Sequence, residues 1–165
     1  IATKMISKNY QKAKYPEYFF NEIKLYIDSS LSRKISKIEF PIDSKHKIID
    51  NFAFGHTSIQ NIRIPSEVTE IRWKAFYECK YLQKIEFPTD SKLKKICEHA
   101  FYRTSIRCFS IPSHVTEIGP NVFYGSTKLQ IIEIVDDAEI EYIDQYAFNN
   151  ISDIAIFMTP SNLFC

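Results

Sequence analysis

The sequence predicts a strand-rich α/β solenoid of about five repeats, and three observations carry that prediction. An Ala-Phe landmark recurs at Ala53-Phe54, Ala75-Phe76, Ala100-Phe101, Val122-Phe123 and Ala147-Phe148, with its phenylalanines 22, 25, 22 and 25 residues apart. Ahead of the landmarks runs a segment that is apolar at its first, fourth and sixth places, as in Ile59-Gln60-Asn61-Ile62-Arg63-Ile64 and Leu82-Gln83-Lys84-Ile85-Glu86-Phe87. Between the two lies an apolar-x-x-Ile pair (Val68 and Ile71, Leu93 and Ile96, Val115 and Ile118, Ile140 and Ile143), always ending five residues before the phenylalanine. A period of this length marks stacked supersecondary units. Such stacks usually work by presenting an extended surface.

Residues 1–30 read as an N-terminal cap. Pro16-Glu17 followed by Phe19, Phe20, Ile23 and Ile27 has helical spacing, with proline suited to a first turn, so a helix is expected over 16–28. Glu17, Glu22 and Asp28 mix acids into that helix and weigh against a membrane-bound role. Five repeats follow over 31–150. In each, alternation at places four and six marks a strand with one face inward. Proline at the strand end (Pro41, Pro65, Pro88, Pro112) lacks an N–H and stops the ladder there. The apolar-x-x-Ile pair reads as a second short extended piece. The residues before Ala-Phe, such as Arg72-Trp73-Lys74, read as one turn of helix or 3₁₀ that turns the phenylalanine inward. The first repeat carries His46 where the others have Leu, Val or Ile, and is read there as a tolerated edge position. Residues 151–165 restart the strand frame at Ile151, Ile154 and Ile156 but contain no further Ala-Phe pair. They are either a partial repeat or a cap made by Met158, Leu163 and Phe164. An uncapped end would favour an end-to-end homodimer.

One repeat cannot fold alone. It buries about six apolar side chains worth roughly 1.5–3 kcal/mol each. Against this, every one of its residues loses roughly 1–2 kcal/mol of backbone entropy. The 22/25 alternation has a local origin: Ile64 to Val68 is four steps but Phe87 to Leu93 six, and Phe76 to Leu82 is six steps but Phe101 to Ile106 five. Both adjustments fall in polar turns, where length changes are tolerated.

Composition narrows the function. Lys and Arg total 21 against 20 acids, and the local excess at Lys4, Lys8, Lys12 and Lys14 is mild, so nucleic acid is not an expected partner. No apolar run approaches the ~20 residues of a membrane span. His46, His56, His99 and His114 fall at different repeat phases and match no metal spacing or nucleophile motif; no catalytic residue, metal site or cofactor is expected. Asp136, Asp137, Glu139 and Glu141 read as a solvated turn, because the calcium-loop spacing is absent. Cys79, Cys97 and Cys108 share no repeat phase, whereas a disulfide needs Cα atoms about 4.4–6.8 Å apart, so free thiols are expected, with Cys79 in the core and Cys108 facing outward. The sequon Asn150-Ile151-Ser152 is read as a chance occurrence.

Leu-x-x-Ile-x-Phe-Pro, Val-x-x-Ile and then Ala75-Phe76-Tyr77-Glu78-Cys79 resemble the BspA-like class of leucine-rich repeats, and Ile111 through Gly119 is similar to that family's consensus. The resemblance covers about residues 31–156. It implies a right-handed leucine-rich-repeat solenoid. Family members are commonly surface proteins of mucosal bacteria and protists that adhere to host matrix proteins and other cells, so it also implies a cell-surface or extracellular address. Two departures stand out: Ile134-Val135-Asp136-Asp137 lacks the proline, and Gly119 is the only glycine at its repeat position.

The outward places of the strand column are the candidate binding face: Lys37, Glu39, Asn61, Arg63, Lys84, Glu86, Cys108, Ser110, Ile131 and Glu133. Strands ~4.8 Å apart would align them in columns. The column Glu39, Arg63, Glu86, Ser110 could be mutually supporting charge or a protein-recognition surface, and the sequence leaves both open. Tyr77, Tyr81, Tyr102 and Tyr124 form a ridge beside the phenylalanine turns, read as packing against the next coil. The expected function is a non-catalytic protein-binding module, an adhesin-like surface protein recognising host or neighbouring-cell proteins. The alternative is an intracellular, cytoplasmic interaction scaffold or regulatory module, which free thiols would favour.

Overall fold

The computed structural model describes residues 22–23, 32–41, 43–151 and 154–159. Its strands are short: β1 (Glu22–Ile23), β2 (Ile48–Ile49), β3 (Asn61–Arg63), β4 (Glu70–Ile71), β5 (Lys84–Glu86), β6 (Lys95–Ile96), β7 (Cys108–Ile111), β8 (Glu117–Ile118), β9 (Ile131–Val135), β10 (Tyr142–Ile143) and β11 (Ala155–Thr159). Every pairing is parallel, as stacked coils of one hand require. The apolar-x-x-Ile segments form one six-stranded ladder in the order β1-β2-β4-β6-β8-β10. Its register puts Ile23, Ile49, Ile71, Ile96, Ile118 and Ile143 in a single file.

The second column behaves differently. β3 pairs only with β5, while β7, β9 and β11 form a separate three-stranded sheet. Residues 35–40, the corresponding segment of the first coil, form no strand. This ladder is therefore open at two levels, between the first two coils and between β5 and β7.

Between these columns the landmark turns stack a spine of phenylalanines. Phe54, Phe76, Phe101, Phe123 and Phe148 lie ring on ring, with successive centroids 5.1, 5.2, 5.5 and 5.5 Å apart and all but the first pair nearly coplanar. The turns are held in two directions. The phenylalanine N–H donates to the next coil (Phe54 to Ala75, Phe76 to Ala100, Phe101 to Val122, Phe123 to Ala147), while Ala75, Tyr77 and Cys79 donate three residues back within their own coil.

That alternation excludes the expected helical turn. The residues two before and two after the phenylalanine take left-handed backbone, as in Phe52 and His56, Lys74 and Glu78, His99 and Arg103, and Asn121 and Gly125. A left-handed conformation costs a non-glycine residue about 1–2 kcal/mol, and consecutive right-handed residues are what a helix needs. The structure is thus strand and turn with almost no helix among the described residues, which corrects the α/β expectation.

The N-terminal cap needs correction as well. Glu22–Ile23, inside the expected 16–28 helix, is a strand that extends the isoleucine ladder onto Ile48–Ile49; the rest of that segment lies outside the described residues. Phe20-Asn21-Glu22-Ile23 has the apolar-x-x-Ile spacing of Val68 to Ile71, and an i, i+3 pair reads equally as a helical turn. At the other end, Ala155–Thr159 is a strand on β9, while Leu163 and Phe164 lie outside the described residues.

A polar file accompanies the phenylalanine spine, three residues beyond it: Thr57, Cys79, Thr104 and Ser126, all buried. Cys79 Sγ donates to the Phe54 carbonyl at 2.9 Å and Ser126 Oγ to the Phe101 carbonyl at 2.8 Å, one coil back in each case. Ser126 Oγ also accepts the Thr104 N–H at 3.0 Å. Cys79 and Cys97 are free, and burial pushes both thiols up to about 12. Cys108, expected as a free thiol, is disulfide-bonded, and the other end of its bridge lies outside the described residues. Comparing repeat phases tests only cysteines inside the repeat frame, so it could not register this bridge.

Candidate functional site: the strand face

The outward residues of the strand column divide by coil. Lys37, Glu39, Asn61, Arg63, Lys84 and Glu86 are exposed, whereas Cys108, Ser110, Ile131 and Glu133 are half-buried. Alternation along β3 and β5 fixes this, because Ile62 and Ile85 point into the core and their neighbours point out.

The charges do not pair as the column suggested. Lys84 Nζ meets Glu86 at 2.9 Å, and Lys37 meets Glu39, so each pair closes within its own coil rather than between coils. Ser110 donates to Glu133 between coils. Arg63, lying between Glu39 and Glu86 in the column, has no ion pair among the described residues. Two residues apart on one strand face, a lysine and a glutamate reach each other with less constraint than across a ladder that is open on one side. The guanidinium is left with its forked set of donors facing solvent.

Two grooves coincide with the two open levels of the ladder. One, of about 980 Å³, lies between the first two coils and is lined by Lys37, Glu39, Phe40, Pro41, Asn61 and Arg63 among others. The other, of about 520 Å³, lies where β5 and β7 fail to pair and is lined by Arg63, Lys84, Glu86, Phe87, Ser110 and Pro112 among others. They meet at Arg63, Glu86, Pro88 and Asp90, which line both. The strand-ending prolines supply apolar walls and the outward pairs a polar floor. Asp90 was not among the sequence candidates. It belongs to the longer turn Thr89-Asp90-Ser91-Lys92, and that extra length was the available signal.

The opposite ridge is aromatic. Tyr77, Tyr102 and Tyr124 stack coil on coil at 4.8 and 5.3 Å, as expected for packing, while Tyr81 stands free at 59% exposure. The histidines are dispersed: Nδ1 of His56, His99 and His114 lies 3.6, 3.0 and 3.0 Å from Glu78, Glu98 and Glu139, and His46 contacts Ser44 Oγ at 2.6 Å. Among the described residues no group of His, Cys, Asp and Glu could hold a metal ion, and no helix is long and apolar enough to cross a membrane.

The repeat now has its geometry: stacked strands, a phenylalanine spine and left-handed turns. The profile of the BspA-type leucine-rich repeat region matches residues 47–164 as six copies. The chain belongs to this family. The landmark count stops at five because no Ala-Phe pair follows Phe148. Among solved structures, the pneumococcal vaccine antigen PcpA is 30% identical with a TM-score of 0.55, covering 58% of this chain and 23% of the antigen. A leucine-rich repeat protein from Eubacterium ventriosum has a TM-score of 0.65 at 23% identity, covering 86% of this chain and 38% of that one. The chain thus spans well under half the length of either. A comparison with curated proteins finds no match.

Proposed function

We propose that this chain is a non-catalytic protein-binding module, displayed at the cell surface in an adhesin-like role, and that it engages host or neighbouring-cell proteins through its strand face. The observation that carries this reading is the coincidence of both grooves with the exposed part of that face, where they converge on an arginine without an ion pair among the described residues. Arginine is over-represented among the residues that dominate protein interfaces. A two-groove surface of mixed charge with apolar proline walls suits an extended polypeptide better than a small molecule.

Three things support the surface address: membership of the BspA-type family, the likeness to a pneumococcal vaccine antigen, and the disulfide at Cys108. Disulfides persist on the oxidising side of the membrane, which favours display over an intracellular scaffold. The non-catalytic reading rests on the dispersal of the histidines, each facing a different residue and at a different phase of the repeat.

The test is mild protease treatment of intact source cells followed by blotting. Loss of this protein while a cytosolic marker survives is the expected result, and binding to matrix proteins and host cells can then be screened. Full protection would overturn the surface address.

A further inference from the structure

On the turn ridge, away from the strand face, three aromatic rings surround one ammonium. Lys74 Nζ lies 4.4 Å from the ring centroid of Trp73, 4.9 Å from that of Tyr77 and 5.5 Å from that of Phe52. All three fall within the ~6 Å over which a cation is attracted by a ring quadrupole. The rings are steeply inclined, Phe52 to Trp73 at 87° and Phe52 to Tyr77 at 64°, so they form walls rather than a stack. Phe52 and Trp73 are 38% and 40% exposed, large fractions for such residues, and the enclosure opens to solvent.

Two further features bear on the cluster. Lys37, Lys80, Lys84, Lys92 and Lys95 each pair with a glutamate, whereas the Lys74 ammonium, like those of several other lysines, has no ion pair among the described residues and faces the rings. Phe52 and Lys74 both hold left-handed backbone, at φ 55° and 56°, as His99 and Asn121 do at the same place in later coils. The walls are braced: Tyr77 stacks on Tyr102, and the Phe52 N–H donates to the Trp73 carbonyl.

We infer that Phe52, Trp73 and Tyr77 form an aromatic cage for a quaternary or methylated ammonium group, and that Lys74 is its intramolecular plug. The side chain already inside shows the chemistry the cage accepts. A quaternary ammonium carries no N–H to desolvate and offers methyl groups to every wall, so it is the better occupant once Lys74 swings out. Lys74 on its flexible stem is a competitor, and occupancy of nine-tenths by the plug would weaken apparent affinity for an external cation about tenfold.

Trp73 is the only tryptophan, so its fluorescence reports on the cage directly. The full chain and its Lys74→Ala variant are titrated with tetramethylammonium chloride at constant ionic strength, with 2,2-dimethylpropanol as a neutral probe of similar shape. The expected result is a saturable change for tetramethylammonium only, at about tenfold lower concentration in Lys74→Ala than in the parent. Adding Phe52→Ala to Lys74→Ala should abolish it. Absence of a saturable change in a Lys74→Ala protein with unaltered circular dichroism would overturn the cage, as would an equal response to the neutral alcohol. Equal affinity in parent and variant would overturn the plug. Should Lys74→Ala fail to fold, Lys74→Gly, which adopts positive φ without strain, takes its place in the same comparison.

Discussion

The two strand columns share a chain and a repeat yet differ in continuity. The isoleucine ladder runs through six strands without interruption, whereas the column carrying the candidate site is open at two levels. Spacing accounts for part of the contrast. From the ladder isoleucine to the spine phenylalanine is always five residues, so that ladder is locked to the spine. The other column sits between both adjustable turns and shifts as their lengths alternate. The opening between β5 and β7 falls where the spacing returns from six (Phe76 to Leu82) to five (Phe101 to Ile106), while β9 and β11 stay paired across a further change of spacing, so turn length acts there together with local packing. At that opening Phe109 takes the place of Ile85 and packs against Phe87, Phe101 and Phe123, adding bulk on one side only. Invariant spacing keeps one ladder unbroken, and variable spacing together with the bulk of Phe109 interrupts the other.

Substitutions can break this contrast, beginning with the spine. Phe101 is fully buried between Phe76 and Phe123, and Phe101→Ala should destabilise by about 3–5 kcal/mol in urea unfolding. Arg63→Ala on the open face should change stability by no more than about 0.5 kcal/mol. Next comes the polar file. Ser126→Ala strips the Thr104 N–H of its acceptor and the Phe101 carbonyl of a donor, both buried, and should cost about 1–3 kcal/mol by the same measurement. At the left-handed turns, Gly125 sits at φ 69° with the Arg103 Cγ 3.0 Å from where a Cβ would stand, so Gly125→Ala should cost about 1–2 kcal/mol.

The smallest effect concerns pH. Burial holds the half-buried His46 imidazole below its usual value. As pH falls below about 6.5, the unfolded chain binds this proton before the folded one, so stability present above that pH is lost on acidification. His46→Leu restores the apolar residue used at this place in other coils. It should flatten the decline in melting temperature between pH 7 and pH 5; an unchanged decline would remove His46 as its source.

Much of this was legible because one residue type per phase does one job. The isoleucines and the phenylalanines repeat in register, and their roles can be read from a single copy. The left-handed turns were not legible, because Phe52, Lys74, Glu78 and Arg103 are not residues that advertise positive φ, whereas His56, His99, Asn121, Gly125 and Asn150 are of types enriched there. Glu22–Ile23 misled because three-residue spacing serves a helix and this ladder alike. At the candidate site the outward residues were identified by alternation alone. Which of them pair depended on side-chain reach within each coil, Lys84 taking Glu86 although Arg63 is registered against it, and so Arg63 could not be distinguished from its neighbours. Phe52 and Trp73 lie outside the repeating apolar frame, and a search for periodicity passes over them.

The most direct test of the strand face compares partner binding by the parent protein with that of a variant carrying Arg63→Glu, Lys84→Glu and Glu86→Lys, using whichever matrix protein or host cell the parent captures. Loss of at least about tenfold in affinity with unchanged thermal unfolding is expected, while Tyr81→Ala on the ridge leaves binding intact. Unchanged affinity in the charge-reversed protein, with loss in Tyr81→Ala, would contradict the strand face and move recognition to the aromatic ridge.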